Sequence, residues 1–221
     1  MTLQGGAPIL ILYAHPLSSY CWKVLTAFYE LGMPFDYRLL APEDTGTARE
    51  LHALWPIGRF PVLRDEGRTI AESSVIIEYI DLRHGGPLHL LPADPAAALD
   101  VRMRDRFFDN YVMTPMQAIV FNRIRPAHAR DPYGVAQART LIDTAYRWLD
   151  GEMETRLWAA GARFSLADCA AAPALSYADR VQPMAGRFPH LAAYLARLTA
   201  RPSFARVLKE AEPYADMFPQ E

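Results

Sequence analysis

A connector rich in proline and glycine divides the sequence into two stretches of different pattern. Before this connector, GGPLHLLPADP at residues 85–95, short apolar runs alternate with amphipathic segments, and after it the apolar spacing is helical throughout. Glycine and proline interrupt regular structure, so the connector is expected to join two units. We therefore predict an α/β domain over residues 1–85, a linker over 86–94 and an all-helical domain over 95–221.

The first unit begins with the pattern of a strand, a helix and a second strand. Residues 8–14, PILILYA, form a short continuous apolar run of the kind expected for a strand buried on both faces. A helical spacing of apolar residues starts at Ser18, a good N-cap residue, and ends at Gly32. Residues 35–40, FDYRLL, predict a second strand, which in such a unit runs parallel to the first.

The rest of the first unit adds a weak helix, a hairpin and a closing helix. Residues 45–54 are weakly helical, and residues 60–72, FPVLRDEGRTIAE, contain two strand-like runs joined by a turn with glycine. The stretch SSVIIEYIDLRHGG, residues 73–86, carries a helical stripe that stops at a double glycine. The predicted order is therefore β-α-β-α-β-β-α, a small α/β sandwich.

The second unit consists of amphipathic helical segments. One long stretch spans residues 95–124, another spans 133–158, and two shorter ones fill 188–211. The segment RFSLADCAAAPAL opens a further helix, in which Ser165 and Asp168 have the spacing of a capping box. This half is therefore predicted to be all-α.

Composition and charge exclude several classes of function. The 23 Lys and Arg residues are balanced by 25 Asp and Glu residues, and neither sign gathers into a block that could neutralise nucleic acid or an anionic membrane. The start, MTLQGGAPILILY, lacks the features of a signal peptide, and its apolar run is too short to span a bilayer. Cys21 and Cys169 lie far apart, which favours a reduced compartment. We expect a cytoplasmic protein without nucleic-acid or membrane partners.

Four short motifs occur in order along the chain: SSYCWKV, GRFPVL, ESSVI and, in the second unit, FSLAD. Together with the two-unit layout, this set resembles the soluble glutathione S-transferases, of a bacterial-like type with a zeta- or theta-like serine motif. The resemblance covers nearly the whole chain and implies a thioredoxin-like βαβαββα domain followed by an all-helical domain. The chain departs from the family at Trp55 and Pro56, where an Asn-Pro usually precedes the glycine motif, so any contact of that Asn side chain is absent.

The resemblance implies that the chain ionises the thiol of glutathione, since the thiolate is the nucleophile. Ser18 matches the family's catalytic position, and a hydroxyl at a helix N-terminus can donate to a sulfur anion; the alternative is that Ser18 is only an N-cap. Ser19 is the rival catalytic residue, because a shift of one residue in the helix start would exchange the two hydroxyls. Cys21 lies toward the buried helical face and is expected to be a small core residue.

Five further residues are assigned to glutathione binding by the same resemblance. The family's proline in GRFPVL, here Pro61, is cis and turns the backbone of the preceding residue, Phe60, toward the cysteinyl part of glutathione; a trans edge-strand proline is the alternative. Ser73 would bind the γ-glutamyl carboxylate at a helix start, and Glu72 would face the ammonium group. Arg59 would reach the glycyl carboxylate or remain a solvated surface residue.

His15 precedes the two serines and invites a serine–histidine interpretation. No Gly-x-Ser-x-Gly elbow or third triad member accompanies it, so we assign it no catalytic role. The six histidines show no metal-ligand spacing, and no metal is expected. The aromatic-rich stretch at residues 106–113 offers Tyr111 as a candidate for the pocket of the second substrate, although such a stripe more often belongs to a core.

Three functions are compatible with these residues. The first is a glutathione transferase, with glutathione as cosubstrate, that adds the thiolate to small electrophilic, largely apolar compounds. The second is a glutathione-dependent isomerase of the maleylacetoacetate type, whose dianionic substrate would need an arginine from among Arg102, Arg106 and Arg123 in the pocket. The third is a non-catalytic binding module with the same fold. The resemblance also implies a homodimer in which the α/β half of one chain packs on the long helices of the other.

Overall fold

The computed structural model of the chain describes residues 10–41 and 43–219. Its first half contains four strands: β1 (Ile11–Ala14), β2 (Asp36–Leu39), β3 (Val62–Asp65) and β4 (Arg68–Ala71). They form one mixed sheet in the order β2-β1-β3-β4, in which β1 and β2 are parallel and β3 runs antiparallel to both β1 and β4. The predicted parallel pair and hairpin are therefore confirmed, while residues 8 and 9 of the predicted first strand lie outside the described residues.

Three helices cover the two faces of this sheet. They are α1 (Ser19–Glu30), α2 (Thr45–Leu54) and α3 (Ser73–His84). Successive residues of a strand point to opposite faces. Leu12 accordingly belongs to the main core with α1 and α3, whereas the neighbouring Tyr13 packs in a smaller cluster with Leu51 of α2. The element order confirms the predicted β-α-β-α-β-β-α layout.

The second half is all-helical, as predicted. Its helices are α4 (Pro95–Phe107), α5 (Thr114–Ile124), α6 (Pro132–Met153), α7 (Leu166–Val181), α8 (Pro189–Ala200) and α9 (Pro202–Ala211). A π-helical stretch, Phe108–Met113, separates α4 from α5 and so interrupts the long stretch expected at 95–124. Short 3₁₀ segments occupy Ala127–Ala129 and Glu212–Met217. In the part of the chain that the structure describes, no helix combines the length and the apolar character needed to cross a bilayer.

Helix α6 ends earlier than the apolar pattern predicts. The pattern extends to residue 158, but the helix stops at Met153. The backbones of Trp158 and Gly161 exchange two hydrogen bonds, of 2.8 and 3.0 Å, and Gly161 has a φ of 126°. Glycine adopts this backbone conformation readily, whereas residues with a Cβ atom rarely do. The apolar residues after Met153 therefore keep the helical spacing although they lie in a tight loop, which turns at Gly161.

Helix α7 is the central buried helix of the second half, and its capping box is confirmed. The carboxylate of Asp168 accepts hydrogen bonds from the backbone N–H of Ser165 at 2.9 Å and from the Tyr194 hydroxyl at 2.6 Å. Burial raises the pKa of the Asp168 carboxyl, and these hydrogen bonds oppose that rise. A buried carboxylate is tolerated where several donors surround it.

A buried cluster of charges ties the two halves together. Lys23 of α1 is 1% exposed, and its Nζ lies 2.6 Å from Asp105 Oδ1 and 2.8 Å from Asp109 Oδ2. It also donates to Ser74 Oγ at 2.9 Å, and the Ser74 hydroxyl donates to Asp105 Oδ2 at 2.7 Å. Burial raises the pKa of the Asp109 carboxyl, although the Lys23 ammonium opposes this. The cluster fixes α1 and the start of α3 against α4 and the π-helical stretch.

We predict that Lys23→Met lowers the free energy of unfolding by about 3–5 kcal/mol, because it removes the buried ammonium from between two buried carboxylates, even though Arg106 still pairs with Asp109. The matched control is Arg102→Met, which removes an exposed pair with Glu78 and should cost about 1 kcal/mol or less. Urea unfolding followed by circular dichroism measures both. A loss for Lys23→Met as small as that of the control would contradict a structural role for the cluster.

Candidate active site

A cleft of about 820 Å³ lies between the α/β half and the helical half. The residues predicted from the sequence that it brings together are Ser18, Ser19, Arg59, Phe60, Pro61, Glu72 and Ser73. They come from three separate segments, namely the β1–α1 turn, the loop before β3 and the start of α3. Another cavity, of about 610 Å³ between α1 and α9, contains none of these residues.

Ser18 is the N-cap of α1. Its Oγ accepts a hydrogen bond from the backbone N–H of Cys21 at 3.3 Å, which leaves its own hydroxyl proton to be donated. Ser19 is the first residue of the helix and is only 5% exposed, whereas Ser18 is half-buried at the cleft. The free N–H groups of a helix start and the helix dipole favour an anion at this point. Of the two serines that line the cleft, Ser18 is the more exposed residue.

Cys21 is a fully buried thiol beneath this turn. Burial raises its pKa to about 12, although contacts with the Ser18 side chain and with the backbone N–H of His15 oppose that rise. The thiol is therefore protonated at neutral pH and cannot act as a nucleophile. The interpretation of Cys21 as a small core residue is confirmed, and Cys169 is buried as well.

The loop before β3 places Phe60 and Pro61 at the cleft. The peptide bond between them is cis, as the resemblance implies, so the alternative of a trans proline is wrong. The Phe60 ring stacks on the ring of His15, with 5.6 Å between the centroids and 18° between the planes. Arg59 is exposed at the edge of the cleft. Phe60 and Pro61 therefore line the cleft together, with the Phe60 ring packed on His15.

The start of α3 carries a backbone conformation that few residues adopt. Glu72, the N-cap, has a φ of 69°, in the left-handed region, and makes no side-chain hydrogen bond to the first turn of the helix. Such a conformation costs about 1–3 kcal/mol and persists where the surroundings hold it, commonly at ligand sites. Ser73, the first residue of α3, is 7% exposed and lines the cleft with Glu72. This helix start can receive a carboxylate.

Tyr111, the candidate for the pocket of the second substrate, does not line this cleft, and its role in such a pocket stays a prediction. Tyr111 is 48% exposed, and its ring packs against Phe107 at 5.2 Å. Its neighbour Asn110 lines the cleft instead. Both residues lie in the π-helical stretch, where each turn holds more residues than in an α-helix, so a face assigned with α-helical spacing is displaced.

Part of the cleft wall comes from the C-terminal segment, which no motif in the sequence indicates. Met217, Phe218 and Pro219 line the cleft, and the Phe218 ring stacks on Tyr177 of α7 at 5.4 Å. The Tyr177 hydroxyl donates to the backbone oxygen of Leu17 in the β1–α1 turn at 2.8 Å. No local pattern indicates these contacts, because they join residues that are about forty or more positions apart.

Of the three arginines considered for the pocket, Arg106 lines the cleft. It is ion-paired with Asp109, which lines the cleft with it. Arg102 pairs with Glu78 at 2.8 Å, and Arg123 donates to the backbone oxygen of Pro219 at 3.1 Å. Among residues 10–41 and 43–219, no group of three His, Cys, Asp or Glu side chains is placed to hold a metal ion.

Comparison with known families gives matches to both halves of the chain. Residues 12–88 match the family described as "Glutathione S-transferase, N-terminal domain". Residues 112–202 match the one described as "Glutathione S-transferase, C-terminal domain". The two matches follow each other in the order of the two structural halves.

Whole-chain relatives agree with these matches. FtsZ-localized protein A of Caulobacter vibrioides is 28% identical over 217 residues, covering 91% of this chain and 92% of that protein. Maleylacetoacetate isomerase of Rattus norvegicus is 25% identical over 192 residues, covering 85% of each. A glutathione S-transferase of Methylobacterium radiotolerans, solved in complex with glutathione sulfonate, is 31% identical with a TM-score of 0.78, covering 90% of this chain and 93% of that one. These similarities and the two domain matches show that the chain belongs to the glutathione S-transferase family.

Proposed function

We propose that this protein is a glutathione transferase that ionises the glutathione thiol at Ser18 and adds it to small electrophilic, largely apolar compounds. The observation that carries the proposal is the convergence of Ser18, the Phe60–Pro61 loop and Ser73 on one cleft. The Methylobacterium radiotolerans relative, which holds glutathione sulfonate, supports glutathione as the cosubstrate.

The Ser18 hydroxyl is proposed to stabilise the thiolate. Its Oγ accepts from the backbone N–H of Cys21, so the hydroxyl proton is available to the sulfur, and the N-terminus of α1 adds its dipole. Lowering a thiol pKa by about two units requires roughly 2.7 kcal/mol. One hydrogen bond to a charged group together with the helix dipole supplies a free energy of this size.

The remaining contacts of glutathione are proposed to come from the loop before β3 and from the start of α3. The backbone of Phe60 would pair with the cysteinyl backbone of glutathione, next to Pro61. Ser73 and the free N–H groups of α3 would bind the γ-glutamyl carboxylate, with Glu72 facing its ammonium group. Arg59, exposed at the edge, would reach the glycyl carboxylate.

The second substrate is proposed to occupy the side of the cleft formed by α5 and the C-terminal segment. The lining residues that make this side apolar are Met116, Val120, Phe121, Ile124, Met217 and Phe218. Apolar surface favours apolar ligands, because burial removes both from water. The electrophile is therefore expected to be largely apolar.

Two other functions remain as alternatives, each with one observation in its favour. Similarity to maleylacetoacetate isomerase favours a glutathione-dependent isomerase, but Arg106, which among Arg102, Arg106 and Arg123 is the one that lines the cleft, is already paired with Asp109. Similarity to FtsZ-localized protein A favours a binding module without catalysis. In a binding module, replacement of Ser18 would change no rate.

A homodimer is proposed on the basis of apolar side chains exposed on α3 and α4. Val75 and Leu82 of α3 are 53% and 81% exposed, and Leu99 and Met103 of α4 are 66% and 46% exposed. Such patches are typical of interaction sites. A two-fold pair of chains that packs α3 of one against α4 of the other would cover both sets at once.

We predict that Ser18→Ala raises the pKa of the glutathione thiol in the complex and lowers turnover with chlorodinitrobenzene about 10- to 1,000-fold, as expected for the loss of one preorganised donor. The ultraviolet absorbance of the bound thiolate as a function of pH measures the first effect. Ser19→Ala is the matched control. If Ser19→Ala raises the thiol pKa and lowers turnover while Ser18→Ala changes neither, Ser19 is the residue that stabilises the thiolate. If neither variant changes the thiol pKa or turnover, the binding module is favoured.

We predict that Ser73→Ala raises the KM for glutathione about tenfold and lowers kcat by less. The variant lacks a hydrogen bond to the γ-glutamyl carboxylate, and this bond has the same strength in the ground state and in the transition state. The control is Thr69→Ala, which removes an exposed hydroxyl from β4. Steady-state kinetics and titration calorimetry report both constants. Absence of glutathione binding at millimolar concentration would defeat the transferase proposal.

We predict that light scattering at micromolar concentration gives twice the chain mass of 24.9 kDa. Leu99→Glu should shift the protein toward the monomer, because it buries a charge in the proposed interface. Leu157→Glu changes a side chain that is 52% exposed in the loop after α6 and should leave the mass unchanged. A wild-type mass of one chain would contradict the dimer.

A further inference from the structure

His15 lines the cleft beside Ser18, and none of the roles proposed above uses its imidazole. It follows β1 directly, and its backbone oxygen accepts a hydrogen bond from the N–H of Ser18 at 3.1 Å. Its ring is half-buried and stacks on Phe60. The side chain is therefore held in the same turn as the proposed catalytic hydroxyl.

The hydrogen bond at Nδ1 of His15 defines where the proton of the ring lies. Nδ1 accepts from the backbone N–H of Leu17 at 3.1 Å, so this nitrogen carries no proton. A neutral imidazole has one N–H, which must then be at Nε2. Burial lowers the pKa of His15, which favours the neutral ring at neutral pH. The ring thus has a single tautomer, with Nε2 as a donor.

This tautomer excludes one role and allows another. Because Nδ1 is engaged and Nε2 already carries a proton, His15 cannot accept a proton from Ser18 as the base of a triad does. Nε2–H has no protein acceptor among residues 10–41 and 43–219. The bond to Leu17 and the stack on Phe60 fix the ring at two points, so the donor is preorganised for a ligand.

We propose that Nε2–H of His15 donates a hydrogen bond to the second substrate and selects electrophiles whose reacting carbon is conjugated to a carbonyl oxygen. The inference rests on the proposed transferase function and names a substrate class for it. The side-chain hydroxyls of the β1–α1 turn are those of Ser18, which is assigned above to the thiol, and of Ser19, which is the first residue of α1 and is 5% exposed.

The chemical step that His15 would assist is conjugate addition. The glutathione thiolate forms a C–S bond at the β-carbon of an α,β-unsaturated ketone, the C=C π bond breaks, and its electron pair moves through the α-carbon to the carbonyl oxygen. The resulting enolate oxygen accepts the hydrogen bond from Nε2–H, and water then supplies the proton to the α-carbon. In this role the donor would meet charge that develops in the transition state, where such hydrogen bonds accelerate reactions most.

Two substitutions of His15 distinguish the role of its Nε2–H donor from the role of Nδ1 in the structure of the turn. In His15→Asn, the side-chain oxygen takes the place of Nδ1 and can accept from Leu17, but the distal donor is lost. In His15→Gln, the side-chain amide can place an N–H where Nε2 was. Each variant, checked for folding by circular dichroism, is assayed with an α,β-unsaturated ketone and with an alkyl iodide, which has no oxygen acceptor.

We predict that His15→Asn lowers the ratio of kcat/KM for the ketone to kcat/KM for the iodide about 10- to 1,000-fold, mainly through kcat, and that His15→Gln restores part of it. The pH midpoint of thiolate absorbance of bound glutathione should match the wild type in both variants. An unchanged ratio, equal loss with both electrophiles, or a shifted midpoint would overturn the role of His15 while leaving the transferase function standing. A wild-type protein without activity on either electrophile would overturn both.

Discussion

The buried cluster of Lys23, Ser74, Asp105 and Asp109 is the interaction on which the arrangement of the cleft depends. Its ammonium group, less than 3 Å from both carboxylates, joins the first helix to α4 and to the π-helical stretch. Ser74 brings the start of α3 into the same network. A buried ammonium group is stable only next to its carboxylate partners. The cluster therefore favours one arrangement of the two halves. The cleft lies beside this cluster, and Asp109 belongs to both.

Three features of the backbone shape the walls of the cleft: a helix cap, a left-handed residue and a cis peptide bond. Ser18 caps α1, Glu72 begins α3 with a φ of 69°, and the Phe60–Pro61 bond is cis. Each of these residues lines the cleft. Arg106 and Asp109 neutralise each other, and His15 contributes a neutral ring. Helix termini and hydrogen-bond donors therefore contribute to the electrostatic field of the cleft, together with the charged Arg59 and Glu72 that also line it.

Local sequence predicted most of the elements and seven of the candidate residues in the cleft. Ser18 as an N-cap, the capping box of Ser165 and Asp168 and the hairpin with its glycine depend on interactions within a few residues, which a sequence displays directly. The sequence does not show that Tyr111 lies in a π-helical stretch, in which the faces assigned with α-helical spacing are displaced. The early end of α6 was missed because apolar residues after Met153 continue the helical spacing in a loop.

The sequence by itself determined the two-unit layout, the order of strands and helices, and the family resemblance, because periodicity, caps and turns are local properties. Only the tertiary structure decided how the halves meet. It paired Lys23 with two carboxylates more than 80 positions away, added the C-terminal Met217 and Phe218 to the cleft, and fixed the tautomer of His15 through the neighbouring turn. These features depend on contacts between distant segments or on the exact path of the backbone, and both arise only when the whole chain packs.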